Sequence, residues 1–218
     1  MLSLHLKNKQ NFKGVMQKKE NITESCGLKD RIMAMPDDSV LFRSDFPEYH
    51  LEFVGSVLAE LTKEGVLVKL AQGIYSKPKV SRFGVVYPSV DKIVQAIAVR
   101  DKSQILPSGM TALNELGLST QVSMNYTYLT SGSERIIKLS NRNIYLKRGV
   151  PKNFCYSTKL IGLLVQALRT LKQENVRDTE LQTIRMLIEK EPEREALKAD
   201  VNIMPAWMKR IIKPMISD

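Results

Sequence analysis

The chain has 218 residues, 43% of them hydrophobic, and a formal charge of +10 from 33 basic and 23 acidic side chains. That length allows two small domains with cores of their own, and a surplus of cations suits an anionic partner. Cys26 and Cys155, alone and far apart, exclude a cysteine zinc site and suggest a reducing compartment, and no apolar run reaches the ~18 residues of a membrane span.

The opening segment Met1 to Lys7 is too short in apolar residues for a signal peptide, so a cytoplasmic protein is expected. The charge is spread evenly: 13 basic against 10 acidic side chains over 1–87, 8 against 4 over 88–150, and 12 against 9 over 151–218. Residues 1–20 carry Lys7, Lys9, Lys13, Lys18 and Lys19 against Glu20 alone, which reads equally as a basic arm adding phosphate affinity and as a solvated tail or first helix.

From Ile22 to Met35 the spacing predicts a helix with Leu28, Ile32 and Met35 on one side and Asn21 or Thr23 as its cap. Pro36 to Ser39 makes a turn. A short strand, Val40 to Phe42, precedes a helix start at Ser44-Asp45. His50 to Glu64 then places Leu51, Val54, Val57, Leu58 and Leu61 on one helical face. Gly65 ends that helix where a left-handed residue costs least. Val66 to Leu70 and Ile74 to Ser76 pair as strands across Ala71-Gln72-Gly73.

Helix, helix and hairpin is the order of a winged helix-turn-helix, whose second helix can enter a major groove while the hairpin touches the backbone. The solvent side of that helix carries Glu52, Gly55, Ser56, Ala59 and Lys63. Small residues allow close approach, whereas Glu52 and Glu60 repel phosphate unless set against a cytosine amine. Tyr49, His50 and Ser56 are assigned to base or sugar contact. Arg43, Lys63, Lys69, Lys77 and Lys79 are assigned to phosphates, with Gln72 in the wing turn. Ser81 to Gly84 leads away and reads equally as a phosphate contact and as a polar linker. A homodimer would double the phosphate contacts. The competing reading is a protein-interaction module.

The expected architecture is α+β: a winged domain over 21–84, a small central α+β domain over 85–150 and a helical region over 151–218. In the central part, Ser89 caps a helix from Val90 to Arg100. Ile105-Leu106 is a strand, Pro107-Ser108-Gly109 a turn, and Met110 to Leu116 a helix ended by Gly117. Tyr126 to Thr130, Arg135 to Leu139 and Asn143 to Lys147 read as a three-stranded meander. Beyond it, helices are expected over Thr158 to Leu171, Asp178 to Glu189, Pro192 to Ala199 and Pro205 to Ile216, with apolar faces to be covered by the chain or by a docked partner.

Catalytic motifs are scarce. His5 and His50 are the two histidines, and neither has a second ligand or base at useful spacing. Ser108 lacks a nucleophile-elbow frame, and neither phosphate-loop nor dinucleotide signatures occur. Neither an enzyme nor a cofactor or metal is expected.

The runs Phe42-Arg43-Ser44-Asp45-Phe46, Leu58 to Gly65 and Gln72-Gly73-Ile74-Tyr75 resemble the N-terminal winged domain of bacterial antitoxins of the abortive-infection (AbiE) type IV class. Ile105 to Gly109, Asn114 to Val122 and Tyr128 to Gly132 look like the second domain of a related bacterial family without assigned activity. The resemblance covers about Leu28 to Arg148. It implies a transcription regulator that represses, at its own promoter, an operon shared with a nucleotidyltransferase-type toxin. It further implies that Pro107, Ser108, Gly109, Ser119, Thr120 and Gln121 shape the functional surface of the second domain. Relatives often carry arginine where this chain has Gln72, and Lys69 and Lys77 stand on either side as substitutes.

Overall fold

The computed structural model describes residues 25–121, 123–139 and 142–216. The basic arm over 1–20 and the caps Asn21 and Thr23 lie outside the described residues. The chain divides into two compact units, 1–89 and 90–218, and mixes helices with small sheets.

In the first unit, helix α1 covers 25–34, followed by strand β1 (Ser39–Leu41), a turn of 3-10 helix (Arg43–Asp45) and helix α2 (Leu51–Lys63). Strands β2 (Val68–Ala71) and β3 (Ile74–Lys77) return as a hairpin. The three strands form an antiparallel sheet in the order β1-β3-β2. Leu28 and Ile32 of α1, Leu41, Phe46, Val54, Leu58 and Leu61 of α2, Leu67 and Tyr75 make one core. α2 is amphipathic as its period requires, but Leu51 is 59% exposed; as the first residue of the helix it precedes the turn that meets the core.

The chain leaves α2 through a Schellman closure. The Gly65 amide donates to Thr62 and that of Val66 to Leu61, with Gly65 at φ +78°. The β2–β3 connection is tighter than expected, since Ala71 pairs with Ile74 beside a register shift and only Gln72-Gly73 turn.

After Pro78 comes an element absent from the sequence reading: β4 (Lys79–Ser81) and β5 (Gly84–Val86) form a separate two-stranded ribbon. The stretch Ser81 to Gly84, read equally as a phosphate contact and as a polar linker, is therefore the turn of a hairpin. Arg82-Phe83 at its turn is no standard turn pair, so composition gave no warning.

The second unit opens with α3 (Val90–Arg100), β6 (Ile105–Ser108), α4 (Met110–Glu115), β7 (Asn125–Thr130), β8 (Arg135–Lys138) and β9 (Asn143–Arg148). The strands are not a meander. Their order is β6-β7-β9-β8, with β7 and β9 parallel in the centre. β9 buries both Ile144 and Leu146, whereas β8 buries only Ile137 and leaves Ile136 56% exposed. The strand with more apolar surface takes the interior position and the poorer one the edge, as burial dictates. Pro107, expected in a turn, is a buried residue of β6. β6 is an edge strand, whose open side tolerates a missing donor, and the turn comes at Gly109 with φ +60°.

Helices α5 (Lys159–Leu171), α6 (Asp178–Lys190), α7 (Arg194–Ile203) and α8 (Ala206–Ile212) complete the unit. Leu106, Leu113, Leu164, Leu168, Ile184, Leu197, Met208 and Ile212 share one core. The helical tail is thus one body with residues 90–150 rather than a separate region, and of the two ways to cover its apolar faces the chain itself supplies the cover, since they fill this core. Asp200 of α7 is buried and takes hydrogen bonds from the Ser157 amide (2.9 Å), the Thr158 amide (2.7 Å) and the Thr158 hydroxyl (2.7 Å) at the start of α5. A buried carboxylate so placed is satisfied by donors and by the positive end of the helix.

Candidate nucleic-acid interface

The solvent stripe of α2 is Glu52, Ser56, Ala59 and Lys63, all exposed and spaced by four, three and four residues. Its centre is flat, with only a hydroxyl and a methyl standing out. The Ser56 hydroxyl donates to the Glu52 carbonyl at 3.1 Å, which leaves its oxygen able to accept from outside.

Gly55 lies beside this stripe. A Cβ there would come within 2.9 Å of the Arg43 guanidinium. The glycine costs the helix about 1 kcal/mol of propensity, and in return Arg43, held by the 3-10 turn, lies directly against α2. Arg43 is exposed, has no hydrogen bond or ion pair among the described residues, and brings a fork of donors to the edge of the stripe.

The carboxylates around α2 are largely matched within the unit. Lys29 of α1 pairs with Glu60 at 2.8 Å and Glu64 at 3.5 Å. Hydrogen bonding to Glu60 outweighs desolvation and raises the Lys29 ammonium above its ordinary range. Arg31 bonds Glu48, and its guanidinium lies over the Phe46 ring. Glu60 is therefore no obstacle to an anion. Glu52, the one carboxylate on the stripe, has no ion-pair partner among the described residues.

Lys63, Lys69, Lys79 and Arg82 are exposed and, like Arg43, free of ion pairs among the described residues. The signal for part of this was available in sequence. No carboxylate occurs between Glu64 and Asp91, while Lys69, Lys77, Lys79 and Arg82 do. Averaging over 1–87 concealed it.

Two assigned contacts are corrected. Lys77 donates to the carbonyls of Met33 (2.6 Å) and Met35 (2.7 Å) and pairs with Asp37 at 3.5 Å. Its ammonium closes the C-terminal end of α1, where carbonyls lack helical partners, and is not turned to a ligand. Tyr49 is half-buried against the core, its hydroxyl 3.6 Å from where a Cβ on Gly27 would sit and its ring 5.9 Å from that of Phe53. It braces α1 against the start of α2. His50 is exposed at the N-cap of α2 without a side-chain cap bond, and Gln72 is exposed at the hairpin turn.

In the second unit, Pro107 lines a cavity of about 150 Å³ with Asp91, Gln95, Glu115, Tyr128 and Lys159. The Tyr128 hydroxyl donates to Asp91 at 2.8 Å, and Lys159 pairs with Glu115 at 2.7 Å. Burial, reinforced by Asp91, holds the Tyr128 hydroxyl far above its ordinary range, so it remains a donor. These pairs satisfy one another and leave no free nucleophile or base. Thr120 and Gln121 are exposed, with the Gln121 amide on the Ser119 hydroxyl at 3.2 Å; neither these three residues nor Ser108 and Gly109 line the cavity. Among the described residues no group of three or more His, Cys, Asp and Glu could hold a metal ion.

Between Glu134 and Glu174 the sequence has nine cations and no carboxylate. Lys138 and Lys147 are exposed on β8 and β9, on the sheet face that also carries Ile136 and Tyr145. Among the described residues no helix is long and apolar enough to cross a membrane.

A family model matches residues 27–196, a span that includes α2, both hairpins and the central sheet, and the chain belongs to that family, a family of unknown function designated DUF6088. No curated protein matches it significantly.

Proposed function

We propose that residues 25–89 form a winged helix-turn-helix whose second helix, α2, reads duplex DNA, and that the protein is a cytoplasmic, non-enzymatic transcriptional regulator. The order α1-β1-α2-β2-β3, with the β2–β3 hairpin following the helix α2, supports the reading. The observation that carries the reading is the partition of charge. Lys29, Arg31 and Lys77 neutralise carboxylates within the unit, and Arg43, Lys63, Lys69, Lys79 and Arg82 have no ion pair among the described residues and are available to phosphates.

By its resemblance to the AbiE class, the regulator is an antitoxin that represses its own operon, acting with a nucleotidyltransferase-type toxin. The alternative, docking a toxin through the C-terminal helices, has less support because their apolar faces lie in their own core.

The test is fluorescence anisotropy of the full chain against its own upstream DNA and a scrambled duplex at two salt concentrations. Tighter binding to the upstream DNA that persists at the higher salt is expected; equal, salt-labile binding to both would reject the reading. Lys63→Ala should weaken binding to every sequence and reduce the salt slope by about 1. Ser56→Glu should abolish binding with an unchanged melting curve.

A further inference from the structure

Among the described residues the ribbon β4–β5 has no third strand, and none of its side chains belongs to a core. A hairpin of two strands is marginal alone in water, yet this one sets apolar groups in solvent. Val80 and Val85 face each other across it, 74% and 48% exposed, and Phe83 at the turn is 86% exposed. The turn is built with care. The Ser81 hydroxyl accepts the Phe83 amide at 3.2 Å and donates to the Gly84 carbonyl at 3.0 Å, and Gly84 sits at φ +116°. The Arg82 guanidinium lies over the Phe83 ring, 4.7 Å from its centre. A cation and a large ring are thus held together at the tip of a narrow arm, in a stretch without carboxylates.

We propose that this tip is a minor-groove anchor: Arg82 enters the groove's negative potential and Phe83 wedges against a base step. The inference rests on the DNA-binding reading above and adds a second contact to it, distinct from α2 and the β2–β3 hairpin. Arginine beside an apolar wedge is the side-chain pairing with which proteins read and kink the narrow groove. Charge selects duplex DNA over a second copy of the chain. Two copies meeting ribbon to ribbon would oppose Lys79 and Arg82 to their own kind, and strands of three residues cannot bury the roughly 800 Å² per partner of a stable interface.

The test uses the full chain and a duplex of its upstream DNA labelled at both ends, reading affinity by anisotropy and bending by energy transfer, with sedimentation for oligomeric state. Phe83→Ala should bind roughly tenfold more weakly and bend the duplex less, with an unchanged salt slope. Phe83→Leu, still a wedge, should recover most of the bend. Arg82→Ala should weaken binding and reduce the slope by about 1. Netropsin, which fills the minor groove, should compete with the wild type and far less with the double variant. Phe83 is exposed, so melting curves should match and loss of binding cannot be loss of fold. Wild-type affinity and bending in both single variants would overturn the anchor while leaving α2 as reader. Variants that turn a wild-type dimer into a monomer would overturn it in favour of self-association. A wild type that fails to prefer its upstream DNA would reject the underlying reading, and the anchor with it.

Discussion

Two hairpins follow one another in this chain, joined by the buried Pro78, and they are held in opposite ways. The β2–β3 hairpin has β1 along its far side, and Ile74, Tyr75 and Ser76 of β3 are all buried. In the β4–β5 ribbon only Ser81 is even half-buried. The first is part of the fold that positions α2; the second adds almost nothing to it. An element that the fold does not need, but that holds an arginine over a phenylalanine, is where a binding role should be sought. The contrast makes the consequences of mutation separable, since stability should respond to the first hairpin and binding to the second.

The largest difference is expected between two aromatic truncations. Tyr75 is 4% exposed within the unit's core, so Tyr75→Ala should lower unfolding free energy by about 3–5 kcal/mol in a denaturant titration. Phe83→Ala should stay within about 0.5 kcal/mol of wild type. A large loss from Phe83→Ala would mean the ribbon is packed in solution, and the contrast would fail.

Lys77 and Lys79 stand two residues apart across Pro78 and divide along the same line. Lys77→Met keeps the stem but removes the donors to Met33 and Met35, which should cost about 1–3 kcal/mol of stability. Its salt slope for DNA should stay at the wild-type value. Lys79→Met should leave stability unchanged and lower the slope by about 1. The reverse pattern would return Lys77 to the phosphates.

Those two lysines also show how far sequence reasoning reaches. α2 was legible because its period is local and its stop, Gly65, carries its own signature. The strands β1, β2 and β3 were legible one by one, but that β1 joins the hairpin along β3 was not. Lys77 looked like a phosphate ligand because its true partners lie more than 40 residues away, and Tyr49 looked free because α1, against which its hydroxyl rests at Gly27, precedes it by two other elements. Nothing local in β7, β8 or β9 states that the third strand will slip between the first two; that order is set by which strand has two apolar residues to bury. The ribbon was missed because Arg82-Phe83 is not turn chemistry. Of the candidate site, the helix α2 and the β2–β3 hairpin were legible as elements, and a side chain's surroundings were illegible wherever they depended on distant backbone.

A smaller effect distinguishes the glycines of the two turns. Gly73 and Gly84 have φ of +71° and +116°, with nothing near a would-be Cβ, so alanine at either meets backbone strain alone. That strain is about 1–2 kcal/mol at Gly73, in the left-handed helical region, and about 1–3 kcal/mol at Gly84, whose φ lies beyond it. At Gly73 it falls on a hairpin that unfolds with the core and should appear in full in the global unfolding free energy. At Gly84 it falls on a ribbon that can open while the core stays closed, and the ribbon's own stability caps what can be lost. Native-state hydrogen exchange reads the difference, because local openings expose little surface and respond weakly to denaturant, whereas global ones respond with the full slope. In the wild type the β4–β5 amides should exchange by the first route and those of β3 by the second. Gly84→Ala should then speed exchange at Val85 and Val86 with β3 unchanged, while Gly73→Ala speeds both β3 and the core strand β1. If Gly84→Ala also loosened β3, the ribbon would belong to the cooperative unit, and its exposed phenylalanine would need an explanation other than a ligand.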